Sequence, residues 1–277
     1  MNPLNAMQAA GPQRLVAERQ AELWACLSAV TDPELDESVV ELNFVSKAEV
    51  DRGNRVHIEF RLPTYWCAAN FSFLMADDMR RAVSQLDWVE GVSVVLGEHM
   101  YADKINAGLA QGLSFQETFG SEADGSLDEL RQSFLLKAFQ RRQMALLHHL
   151  IAAGHPPASI VGLTLAQLAA LSFDADGEIL LRRYLERRDV VGPMQPDALA
   201  FIDAEGARLL ADGLPRYLGG LRRVGVNAEF NSALCRGLLS VRFDLDTPFV
   251  PASKAAPATA PFMGTSPAAR SAQPNPG

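Results

Sequence analysis

Leu62-Pro63-Thr64-Tyr65-Trp66-Cys67 joins an alternating strand pattern to an apolar helical pattern and sets a thiol three residues after a threonine. With Thr64 as N-cap, its hydroxyl would accept from a backbone N–H near Cys67, and the sulfur would sit in the first helical turn among unpaired donors. Such surroundings lower a thiol pKa and favour thiolate, the form that binds metal or attacks an electrophile. The remaining cysteines, Cys26 and Cys235, lie far away in sequence, and no Cys-x-x-Cys occurs. They read as ordinary small apolar residues. Three scattered cysteines argue against a disulfide framework and for a reducing cytoplasm. Nor can they supply the four thiolates of an iron–sulfur cluster from one local motif, so any cluster would be shared or in transit. His148 and His149 are neighbours that point to different sides of a helix. With His155 they complete no familiar ligand spacing.

The elements that must hold Cys67 are legible on either side of it. Arg14 to Val30 carries Val16, Leu23, Leu27 and Val30 near helical spacing, and Thr31-Asp32-Pro33 ends that helix. Val39 to Val50 reads as a strand, Asp51-Arg52-Gly53-Asn54 as a tight turn, and Arg55 to Leu62 as its hairpin partner. In the second strand Val56, Ile58, Phe60 and Leu62 alternate with Arg55, His57, Glu59 and Arg61. A helix over Ala68 to Leu86 and a third strand over Val89 to Leu96 follow. The fold class is therefore α+β, an α-β-β-α-β domain with a three-stranded sheet over residues 14–101.

On this reading residues 1–13 form a flexible lead-in, 102–126 a linker and 127–250 a mainly helical module. A disordered tail rich in Pro and Ala occupies 251–277. Helices are expected over Leu127 to Ala153, Leu163 to Leu171 and Ile179 to Arg188. Pro196 to Gly213 and Tyr217 to Leu239 follow, the latter broken near Gly225, with a period-2 run at Leu239 to Leu245. The pairs Arg141-Arg142, Arg182-Arg183, Arg187-Arg188 and Arg222-Arg223 read as solvated faces or contacts to an acidic partner. Formal charge is −8, from 33 acidic and 25 basic residues, which disfavours non-specific nucleic-acid binding. No apolar run approaches the ~20 residues of a spanning helix, and no signal peptide is recognisable.

Residues 14–101 resemble the small domain of the PaaD-like and SufT-like iron–sulfur cluster assembly family. The likeness rests on three stretches in the family's order: Val30-Thr31-Asp32-Pro33-Glu34-Leu35, Ser38-Val39-Val40-Glu41-Leu42-Asn43-Phe44-Val45 and Leu62-Pro63-Thr64-Tyr65-Trp66-Cys67. Two positions depart from the family pattern. Cys67 is followed by Ala68 where Cys-Pro is frequent, and Asn43 stands at a usual glycine, a residue that tolerates left-handed geometry. The altered Thr-to-Cys loop suggests a branch serving a particular client.

The resemblance implies help in delivering or inserting iron or an iron–sulfur cofactor into a client enzyme, without catalysis of its own. The phenylacetate branch of the family points to a multicomponent di-iron oxygenase as that client. Cys67 would then hold iron or a cluster edge transiently, as metal ligand together with Asp32. Asp32, with Glu34 nearby, would supply a hard oxygen ligand or take up the thiol proton, and Thr64 would fix the loop. The helical module would recognise the client or self-associate as a homodimer.

Plainer readings stand beside these. Cys67 could be an inert cysteine under the hairpin, Asp32 a turn residue, Thr64 a structural cap, and Tyr65 and Trp66 aromatic packing. The whole could be a scaffold that binds an oxygenase component without metal. A thiol enzyme with Cys67 as nucleophile would need a base, and His57 lies on the polar side of its strand.

Overall fold

The computed structural model describes residues 3–122 and 126–244. Its first half is built on the expected hairpin. Strand β1 (Val45–Val50) runs antiparallel to β2 (Arg55–Phe60), with Val50 opposite Val56 and Ala48 opposite Ile58. The turn forms because the Asp51 carboxylate accepts from Gly53 N at 2.7 Å and Arg55 N at 2.9 Å, while Asn54 takes a φ of 58°. Before it lies helix α1 (Pro3–Ser28), and after β2 come α2 (Ala69–Val83) and β3 (Gly91–Leu96), which pairs in parallel with β2. Sheet order is β1-β2-β3. One face is covered by Leu23 and Leu27 of α1 and by Met75, Met79 and Val83 of α2, which bury Val56, Ile58 and Phe60. The protein is α+β, as its patterning indicates.

Three boundaries differ from the sequence reading. The strand expected from Val39 begins at Val45, because Ser38 starts a turn whose hydroxyl accepts from Val40 N and Glu41 N. Asn43, at φ 58°, closes that turn, and Val39, Leu42 and Phe44 still reach the core. Residues 3–13, expected as a flexible lead-in, are the first turns of α1. Much of the expected linker 102–126 is structured. Helices α3 (Ala102–Ala110) and α4 (Phe115–Phe119) put Ile105, Leu109, Phe115 and Phe119 into the first core. Asn106 ties α3 to the end of β3, accepting from Leu96 N at 2.8 Å and donating to Leu96 O at 3.0 Å.

The second half is helical. α5 (Leu127–Ala152) is followed by the short α6 (Pro157–Ile160) and α7 (Leu165–Ala169), then α8 (Ala175–Arg188) and α9 (Leu214–Phe243). Phe139, Leu146, Leu150, Tyr184, Phe201 and Leu214 form a second core. The helix expected over Pro196 to Gly213 is irregular backbone, pinned by bridges Thr164–Leu199 and Ile202–Arg208. No break occurs at Gly225, and the expected alternation from Leu239 lies inside α9 as far as Phe243. The tail 251–277, and the module's end from 245, lie outside the described residues. Among the described residues no helix is long and apolar enough to cross a membrane.

Candidate functional site

Leu62, buried, ends the second strand pattern, and the chain then turns out so that Tyr65 and Trp66 are 52% and 72% exposed beside a partly buried Cys67. The helix begins later than expected. Ala68, without a side-chain cap bond, is the N-cap of α2, so Thr64 is not a cap and Cys67 stands just outside the helix rather than in its first turn. Thr64 instead meets the thiol itself: Oγ1 lies 3.0 Å from Sγ. The backbone of Cys67 is held from the other side by His99, whose Nε2–H donates to the Cys67 carbonyl at 2.8 Å. A carbonyl only accepts, so the proton sits on Nε2 and leaves Nδ1 free to accept from Tyr101 N at 3.2 Å. Burial lowers the His99 pKa and keeps the ring neutral. Sequence spacing gave no sign of His99. The histidine that it did suggest as a base, His57, is 3.1 Å from Glu59 instead.

The acidic loop is the second component. Asp32 is buried, and its Oδ1 accepts from Glu34 N at 2.9 Å and Leu35 N at 2.7 Å. Despite those bonds, burial pushes its pKa up to about 6, aided by the charges of Glu34 and Glu37. Asp36, also buried, has φ 55° and is gripped by Arg142, Nε to Oδ2 at 2.6 Å and Nη2 to Oδ1 at 2.9 Å, with Arg187 at 3.3 Å. Two of the arginine pairs, read as solvated faces or contacts to an acidic partner, thus hold buried members, Arg142 and Arg188. Arg188 Nε and Nη2 donate to the carbonyls of Ala200 and Leu199.

The third component comes from the helical half. Asn231 of α9 donates to Glu34 at 3.0 Å, Ser232 and Arg236 both bind Glu37, and Arg242 donates to Leu62 O at 3.1 Å. Cys235 therefore faces the first domain between the acidic loop and the strand that leads to Cys67. Its thiol is pushed up to about 12, chiefly by burial and then by the charges of Asp32 and Cys67. The charges of Asp32, Glu34 and Cys67 thus all reach Cys235, which was unforeseen, while Thr64 touches the Cys67 sulfur.

Residues 20–94 match the family of iron–sulfur cluster assembly proteins. The matched segment runs from within α1 to within β3 and contains all four residues singled out from sequence, but not His99 or Cys235. No curated protein matches the chain.

The segment that matches this family does not fit a resident metal cofactor. Among the described residues no group of three or more His, Cys, Asp or Glu is arranged to hold a metal ion. Asp32 spends one oxygen on two backbone N–H groups, and Cys235 is biased towards its protonated form. His149 lies 3.3 Å from Asp174, away from these loops, and is no ligand cluster.

Proposed function

We propose that this protein is an accessory factor of iron–sulfur assembly that hands iron or a cluster, as cargo, to a client enzyme in the cytoplasm. The observation that carries this reading is the family match over the segment holding Thr64 and Cys67. A single soft donor, partly buried beside the exposed Tyr65 and Trp66 and without a closed ligand set among the described residues, suits transient holding and release better than storage. Thr64 positions the sulfur, while Asp32 and Glu34 offer carboxylates nearby. With a pKa near 6, Asp32 is suited to exchange a proton near neutral pH. The altered Cys67-Ala68 sequence and the helical module favour one dedicated client, a multicomponent di-iron oxygenase, over general supply. The exposed Tyr65 and Trp66 would meet it.

Anaerobic expression with iron and sulfide tests the reading. Visible absorbance that copurifies with the wild type and is lost in Cys67→Ala is expected. Equal absorbance in both proteins, or none in either, would overturn the role of Cys67.

A further inference from the structure

The last three turns of α9 lie outside the family-matched segment and are fastened beside the candidate site by polar bonds set around a small apolar contact. Fully buried in the first core from this stretch is Leu239, with Cys235 and Phe243 partly buried against it. The polar fastening consists of ion pairs and hydrogen bonds. Asn231 and Arg236 hold Glu34 and Glu37, Arg236 also donates to the carbonyl of Glu41 at 3.0 Å, and Arg242 donates to the carbonyls of Leu62 and Glu98. Glu98 precedes His99, which holds Cys67, and Leu62 precedes the Thr64–Cys67 loop, so Arg242 grips both approaches to the sulfur. The opposite side of the same turns is exposed, with Leu234 at 48%, Leu238 at 39% and Val241 at 85%. The beginning of α9, by contrast, is anchored in the other core through Leu214, with Tyr217 and Leu218 packed against it.

From this asymmetry we propose that residues 231–243 are a detachable strap that shields the Asp32–Cys67 surface and must lift before cargo or client reaches Cys67. Exposed and half-exposed ion pairs are individually weak and screened by salt. A basic strap on an acidic loop is therefore a fastening that another charged surface can compete away. Lifting it frees the carboxylates of Glu34 and Glu37 together with the Leu62 edge of the Cys67 loop, so one movement opens the whole surface. This regulation rests on the reading of Cys67 as the cargo residue, but the covering itself does not.

Thiol labelling of the full-length protein, resolved by peptide mass spectrometry at each cysteine, tests the strap without iron or a client. In Arg236→Glu, labelling of Cys235 and Cys67 with N-ethylmaleimide is expected to rise at least tenfold over wild type at low ionic strength, while Cys26 in α1 is unchanged. Pairing that variant with Glu37→Arg is expected to restore slow labelling. Rates at Cys67 within twofold of wild type would overturn the strap. So would an equal rise at Cys26, which reports general unfolding, or a charge swap that fails to restore protection. Confirmed strap opening with no copurifying absorbance would leave the covering standing and remove the cargo reading.

Discussion

At the scale of single residues, Asp32 is a carboxyl group whose surroundings oppose its charge. Asp32 has a folded pKa of about 6 against an ordinary value of 3.8, so the folded protein binds its proton more tightly than the unfolded chain. Stability from this group is present below pH 4 and declines as pH rises through 6. Above that, an ionised Asp32 is a standing cost on the order of 1–3 kcal/mol. Asp32→Asn keeps the acceptor oxygen for Glu34 N and Leu35 N and removes the charge. It is expected to raise the urea midpoint at pH 7.5 and to change it little at pH 4. An unchanged midpoint at pH 7.5 would show that burial is not setting the titration.

Elements were legible where periodicity and turn chemistry act locally, and illegible where a distant surface decides. Arg55 to Phe60 alternates because one face meets α1 and α2, and Asp51 to Asn54 carries its own turn bonds. The Thr64–Cys67 loop was misread as a helix start, since Thr-x-x-Cys has cap-like spacing and only the fold shows Thr64 turned to the sulfur. His99 and Cys235 gave no local signal; each matters through a contact 32 or more positions away. The supposed linker hid its helices behind Gly108 and Gly112, although Ser114 and Glu117 form a capping box that spacing could have shown. Gly108 is there for contact. A Cβ would come within 2.2 Å of Thr118 Oγ1, so α3 can approach α4 only without a side chain at this position. Gly108→Ala is expected to lower stability by about 1–3 kcal/mol through overpacking, read as a fall in Tm. Thr118→Ala in the same chain should recover much of that loss.

For the whole molecule, the question is whether two cores behave as one. Leu23 to Phe119 build the first and Phe139 to Leu214 the second, and the acidic loop of the first is clamped by arginines of the second. Arg142 is the main clamp, since it binds Asp36 through two nitrogens, Glu186 at 2.7 Å and the Arg183 carbonyl at 2.6 Å. Breaking such a buried pair leaves an uncompensated charge and costs about 3–5 kcal/mol. Arg187, 3.3 Å from Asp36, should keep the loss in Arg142→Met near the lower end. Asp36→Asn tolerates the left-handed backbone and removes the stranded charge, so Arg142→Met should cost distinctly less in that background. The same substitution reports on coupling. Trp24, Trp66 and Trp88 all lie in the first half, so tryptophan fluorescence follows that core while far-ultraviolet circular dichroism is dominated by the helices of both. The wild type is expected to unfold in urea with coincident transitions by the two probes, and Arg142→Met with separated ones. Coincident curves in the variant would mean that α9, which enters both cores, suffices to couple them without the arginine clamp.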